Sequence, residues 1–592
     1  MNMNRLKIFI SLILLTALCS CEDIFENKTV NEWSDEEIWR IPELAEGVLM
    51  QAYSAIPRRA DNFDGDFLDA ATDNAVTNAW SSAVYAVGGG GISTINNRLG
   101  NWSECLSQIQ TINEFLEKGL SDELQYDRTS EENDRQIKER LEGEAYFLRA
   151  WWGFMLLQRH GGRTADGSVL GYPISTSFVR PEQAMDKTNY RRDTYEACVD
   201  QIVEDCDRAA FLLPEKYTGS SSIVGVTKLG RGDATAAKAL KSRVMLYAAS
   251  PAFQPDDIVA IRGMGQFEIL NRSEYERKWE LAARCADQLL QSSGFGDFYA
   301  LKATDIASAG NKTPSEFIFR TYHNDYEMEG RHFPPFYYGS ARNVPSQNLV
   351  DAFPTKDGFP ISDSRSAYDA MKPFEAERDK RFLLNVYYHG RTFGDGDPID
   401  VATGGKDAGD FNEKGTRTGY YLAKFMVNKS GMLNPLATNN QIHYYPLIRK
   451  AEIFLNYAEA ANEAWGPYEK GEGCKYTAYE VIKTIREKSG GITDVTYLNE
   501  MAADKDAFRR LIQNERRLEL AFENHWFFDI RRWLLPLNQE IRGCVVTREN
   551  GGETFGAKTV ERRAMDDIKY YYLPIPLDET LKSENMINNI GW

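Results

Sequence analysis

The sequence predicts an all-α protein, a helical-repeat scaffold carrying a loop-rich subdomain, and three observations carry that expectation. Four segments set alanines among large apolar residues at helical spacing: GEAYFLRAWWGFMLLQRHGG around Ala145, DATAAKALKSRVMLYAASP around Ala237, KWELAARCADQLL around Ala283 and AEIFLNYAEAANEAWG around Ala458. Small residues at such positions let neighbouring helices approach closely. Antiparallel helix pairs of the tetratricopeptide kind follow, although the strict 34-residue consensus is absent and the gaps are irregular. The helical rhythm also lapses twice, over residues 58–100 and 301–440, where Gly, Asp, Pro, Asn and isolated aromatics dominate. Finally, Asn514 to Trp533 reads as one buried helix. Leu518, Phe522, Trp526, Ile530 and Trp533 form an apolar stripe, and Arg516, Arg517, Arg531 and Arg532 stand ready to neutralise Glu515, Glu519 and Glu523. His525 reads as a packing histidine, because the paired histidines of a zinc-protease helix are missing.

In chain order, Arg5 and Lys7 precede an apolar run, Ile8 to Leu18, that reads as an export signal over residues 1–20. The run ends in Leu18-Cys19-Ser20-Cys21, where the small residue before Cys21 suits lipoprotein processing and makes Cys21 the expected lipidated N-terminus, with residues 21–33 a polar tether. Residues 34–300 form the first helical region. Ser34 with Glu37 makes a capping box, and a helix to Tyr53 follows with Leu44, Val48, Leu49 and Tyr53 on its face. The net charge of −18 excludes a nucleic-acid partner and disfavours strongly polyanionic ligands unless a local basic pocket overrides it. The six cysteines after Cys21 contain no CxxC pair, so neither a zinc site nor a Cys198–Cys206 disulfide is expected.

Within residues 58–100, Gly88 to Gly91 lacks the lysine and hydroxyl of a phosphate loop and reads as a flexible hinge. Asp61, Asp64 and Asp66 do not have the spacing of a calcium loop. No metal or cofactor is expected, and no positioned nucleophile, histidine pair or Gly-x-Ser-x-Gly elbow points to catalysis. Binding chemistry is better represented. Flat rings stack on the apolar faces of sugars while Asn, Asp and Arg exchange hydrogen bonds with hydroxyls. The first excursion offers Asn74, Asn78, Trp80 and Tyr85; the second, a ligand-binding subdomain over 301–440, offers Tyr322, Tyr326, Phe336, Tyr337, Tyr338 and Arg342. The two are expected to converge on one face.

Several motifs resemble one family in order. Asn514–Trp533 looks like its C-terminal signature, and Trp102, Cys105, Ile109 and Asn113 stand where the family has its motif of Trp, Cys or Tyr, Ile and Asn. VPSQNLVDAFPTKDGFP, ERDKRFLLNVYYHG, GYYLAKFM, YYLPIPLDE and the terminal ENMINNIGW follow in the family's sequence, the last ones within a C-terminal helical region 441–592. The chain thereby resembles the SusD/RagB family. That resemblance implies a non-catalytic surface lipoprotein of the outer membrane that binds a glycan and forms a lid over a SusC-like TonB-dependent transporter. It also places the body outside the cell, because Glu22 and Asp23 resemble a surface-export signal. A peptide-binding member of the RagB kind, or a lid-only scaffold, is the alternative; a glycosidase is a third.

Overall fold

Side-chain oxygens begin most of the long helices. The computed structural model describes residues 33–180, 190–308, 314–410, 414–434, 436–549 and 551–592. The export signal, Cys21 and the tether to residue 32 lie outside the described residues. Helix α1 spans Pro42–Ser54, α2 Trp102–Lys118, α3 Glu131–His160, α4 Tyr195–Leu212, α5 Ala234–Ala249 and α6 Arg272–Leu290. Thr194 caps α4 through Ala197 N (3.1 Å), Asp233 caps α5 through Ala236 N (2.8 Å) and Asn271 caps α6 through Glu274 N (3.2 Å). Each cap satisfies an amide that the helix leaves without a partner.

These helices stack in chain order, α1 on α2 and so on to α6. Small residues set the spacing, since a Cβ added at Gly143 would stand 2.7 Å from Leu213, at the α3–α4 contact. The stack then continues with a helix that is distant in sequence. Helix α7, Lys450–Trp465, packs on α6 and on α5, with α8 (Ala478–Ile485) and α9 (Lys505–Glu519) beyond it. A buried ion pair, Arg243 Nη2 to Glu452 Oε2 at 2.6 Å, ties α5 to α7. The all-α repeat expected from the alanine-rich segments is therefore the architecture, and its core runs as one cluster from Leu49 to Met586.

The excursions are organised rather than irregular. In the first, strand β1 (Ala75–Thr77) precedes a short helix, Ala83–Gly88. In the second, β2 (Phe317–Asp325) pairs antiparallel with β4 (Gln441–Arg449), and β3 (Asn343–Pro345) pairs with β1, Val76 opposite Val344. A C-terminal hairpin joins β5 (Glu540–Glu549) to β6 (Gly552–Arg562). Gly88 and Gly90 form no loose hinge. A Cβ at Gly88 would meet Arg563 Nη1 at 2.8 Å, and one at Gly90, whose φ is +78°, would meet Ala564 O at 2.5 Å.

Two helical expectations need correction. The first helix stops at Ile38 after its Ser34–Glu37 capping box, because Pro42 starts a separate helix at its own N1 position. The Asn514–Trp533 stretch likewise divides into α9 and α10 (Trp526–Arg532), with Phe522 at φ +61° and Asn524 at φ +64° between them. The chain turns there because Asp69 Oδ1 accepts Phe522 N (3.0 Å) and Asn524 Oδ1 accepts Leu68 N (2.8 Å). The stripe itself is buried as expected.

Its carboxylates, however, choose remote cations. Glu515 pairs with Arg381 (2.6 Å) and Arg486 (2.7 Å), and Glu523 with Lys424 (2.7 Å) and Arg449 (2.8 Å). Glu519 pairs with Arg449 (3.0 Å) and Arg381 (3.4 Å). Arg516 and Arg532 turn to Asp529, Arg517 turns to Asp73, and Arg531 lies 3.5 Å over the Phe527 ring. Neighbouring residues on a helix point in different directions, so Glu515 and Arg516 cannot face each other.

Candidate functional site

The turn after β1 presents Trp80, whose residue is 60% exposed. Its position is built locally: Thr77 Oγ1 accepts Ala79 N (3.0 Å), and Ser82 Oγ accepts Tyr85 N (3.1 Å) to start the following short helix. Tyr85 meets the indole edge-on, with ring centroids 5.0 Å apart. The Arg417 guanidinium lies 4.3 Å over one indole face while donating to Thr77 O (3.0 Å) and pairing with Glu561 (2.9 Å). Arg98 Nη1 donates to Ser81 O at 3.0 Å, bracing the turn from its other end.

The two excursions touch here through Asn78 and the 341–342 backbone. Asn78 N donates to Arg342 O (2.7 Å), and Asn78 Nδ2 donates to Ala341 O (2.8 Å) and Gly415 O (3.3 Å). Arg342 Nε pairs with Asp66 (2.9 Å), and its Nη2 donates to Asp64 O. Asn78 and Arg342 thus act mainly as fasteners of the platform. Two of the expected ligand contacts are internal. Asn74 is buried, donating to Asp69 Oδ1 (2.8 Å) and accepting Arg517 Nε (2.6 Å), because this stretch dives under α9. Tyr337, 5% exposed, stacks on Phe393 at 4.2 Å and accepts Asp397 N at 2.9 Å.

The other exposed rings form separate groups. Tyr322, 51% exposed, stands on β2 beside Tyr444 with the Arg320 guanidinium 5.5 Å over it. Phe336 (47% exposed) has Lys406 Nζ 4.2 Å above its ring, and Tyr338 (63%) follows at φ +67°. Tyr326 is half-buried against the core. Among the described residues no ring contact joins the Trp80, Tyr322 and Phe336 groups.

Sequence reasoning missed Arg417, Glu561 and Lys406. The only local signal for Arg417 is an arginine between two threonines in a glycine-bracketed loop, Gly415 to Gly419. Beside Arg417 lies an open cavity of about 520 Å³, lined by Thr403, Asp410, Thr416, Lys558 and Thr559 among others. It carries hydroxyls and charges of both signs, which suits a polar ligand.

Among the described residues no cluster of His, Cys, Asp and Glu could hold a metal ion. Asp61 accepts from Arg331 (2.7 Å) and stands 3.4 Å from His332; burial opposes its ionisation, but those two neighbours hold the carboxyl far below the usual range. Burial pushes the Cys105 and Cys198 thiols up to about 12, so both remain protonated structural groups. No described helix is long and apolar enough to cross a membrane.

The helical-repeat body has counterparts among solved structures. A SusD-like protein and a SusD-like carbohydrate-binding protein, both from Bacteroides fragilis, share the fold. Their TM-scores are 0.69 and 0.66 at 23% and 20% identity, covering 94% and 93% of this chain and 99% of each of theirs. SusD-like protein P38 of Formosa agariphila is 25% identical over 558 residues, 88% of this chain and 90% of its own. Residues 315–592 match the SusD family model, and residues 28–246 match the model described as "Starch-binding associating with outer membrane". The chain belongs to the SusD/RagB family.

Proposed function

We propose that this protein captures a glycan at the outer surface of the outer membrane and passes it to a SusC-like TonB-dependent transporter, for which it forms the lid. Cys21 carries the lipid anchor, and no bond chemistry is involved. The observation that carries the reading is the Trp80 turn: a large ring, mostly exposed, fixed at its edge by Tyr85 and on one face by Arg417. A ring held so firmly loses little entropy when a sugar stacks on it. One such contact contributes about 1 kcal/mol beyond area, so useful affinity comes from several weak contacts along a polymer. Tyr322, Phe336 and Tyr338 are the further exposed rings available for this. The family membership and the printed description of the structural relative as carbohydrate-binding support the ligand class.

Affinity electrophoresis of the chain lacking residues 1–21, through gels containing neutral and acidic polysaccharides, tests the reading. One polymer should retard the protein, and Trp80→Ala should weaken that retardation about fivefold. Retardation untouched by the variant would move the platform to the Tyr322 or Phe336 group. No retardation by any polymer would favour the peptide-binding or lid-only alternative, and released reducing ends would revive the glycosidase.

A further inference from the structure

Arg159, in the last turn of α3, faces a cavity of about 380 Å³ between that helix and the first excursion. Phe63, Trp151 and Met155 supply apolar surface; Asn62, Arg98 and Asn101 supply polar groups. Small-molecule sites occupy roughly 300–1,000 Å³, so the volume suits one sugar ring.

Arg159 is half-buried and poorly served. Nη1 donates to Leu99 O at 3.1 Å, the guanidinium lies 5.5 Å over the Phe63 ring, and Nε has no partner. Several other buried arginines have a carboxylate where Arg159 has none: Arg149 pairs with Asp205 (2.7 Å), Arg243 with Glu452 and Arg532 with Glu459 (2.5 Å). Arg192, lacking a carboxylate, is spread over five acceptors, including Gly171 O and Asn589 Oδ1. A guanidinium has five N–H donors in a fork that matches a carboxylate. The other charges on the cavity are Arg98, Asp64 and Glu104; Asp64 is occupied by Ala83 N (3.1 Å), and Glu104 is exposed in the first turn of α2.

We propose that this cavity binds a uronic acid unit, its carboxylate held by Arg159 and its ring against Phe63 and Trp151. That the ligand is a sugar rests on the glycan-capture reading. Arg98, which lines the cavity and donates to Ser81 O, connects it to the Trp80 turn. The lining sets Arg159 and Arg98 against Asp64 and Glu104, so a single carboxylate is held by the free donors of the Arg159 fork and not by a net positive field.

Isothermal titration calorimetry of the chain lacking residues 1–21 with galacturonate and glucuronate tests it, with galactose, glucose and acetate as controls. A uronate should bind at least tenfold more tightly than the neutral hexoses or acetate. Arg159→Gln should weaken it at least tenfold, Arg159→Lys should recover part of the loss, and Glu104→Gln should tighten binding two- to threefold. Thermal melts establish that each variant is folded; if Arg159→Gln is not, the Glu104→Gln and Arg159→Lys results decide. No uronate binding, equal binding of neutral sugars or acetate, or affinity unchanged in the folded variants would overturn the proposal. Uronate binding without any polymer retention would sink the Trp80 platform and leave this cavity standing.

Discussion

Asp407 and Glu519 are both buried carboxylates, and their surroundings drive them in opposite directions. Burial pushes the Asp407 carboxyl up to about 6, Asp400 and Asp397 adding to that; Oδ2 accepts Asp400 N (2.9 Å) while Oδ1 has no partner. An acid with a raised folded value contributes stability that is fully present below its unfolded value, near 4, and lost as the pH rises through 6. Asp407→Asn should therefore stabilise the protein by about 1–3 kcal/mol at pH 8 and give no gain at pH 4, read from thermal melts at the two pH values. For Glu519, burial would raise the value, but Arg449 and Arg381 outweigh it and hold the carboxyl below its ordinary range. Its contribution is present above the unfolded value and lost as the pH falls through the folded one. Glu519→Gln should cost about 3–5 kcal/mol at pH 7, because it strips a partner from two buried guanidinia; urea titration measures it.

At the scale of the element, the glycine run gives a paired test. Gly90→Ala, at φ +78° and against Ala564 O, should destabilise by about 2 kcal/mol or more, whereas Gly89→Ala, whose nearest neighbour lies at 3.5 Å, should change stability by under about 0.5 kcal/mol. Equal effects would mean that the run is the loose hinge its composition suggests. The same contrast explains what was legible. The repeat helices could be read because their signal, alanine among large apolar residues, is local and repeated. Trp80 stood out as an isolated ring among small polar neighbours. The break at Phe522–Asn524 was invisible, since the apolar period runs straight through it and the hydrogen bonds that impose it come from Leu68 and Asp69. Asn74 looked like a surface asparagine because its partner Arg517 is 443 positions away. Arg417 reaches Trp80 across a comparable gap, which no periodicity reports.

For the whole molecule, the seam between α6 and α7 dominates. The helix stack breaks off at Leu290 and resumes at Lys450, and α7 closes the face that α6 would otherwise leave open. A fragment comprising residues 34–300 lacks α7 and with it Glu452, stranding Arg243 in an apolar surface. It should show no cooperative thermal transition by circular dichroism, while the chain lacking residues 1–21 should melt in one step.

That seam also fixes an order of events in time. Joining α6 to α7 closes a loop of some 160 residues, a long-range contact that slows folding and comes late in it. During synthesis the first half emerges without the surface that completes it, which α7 supplies only once residues 450–465 have been made. For the export proposed above, such a topology would supply a delay before folding from the order of the helices themselves.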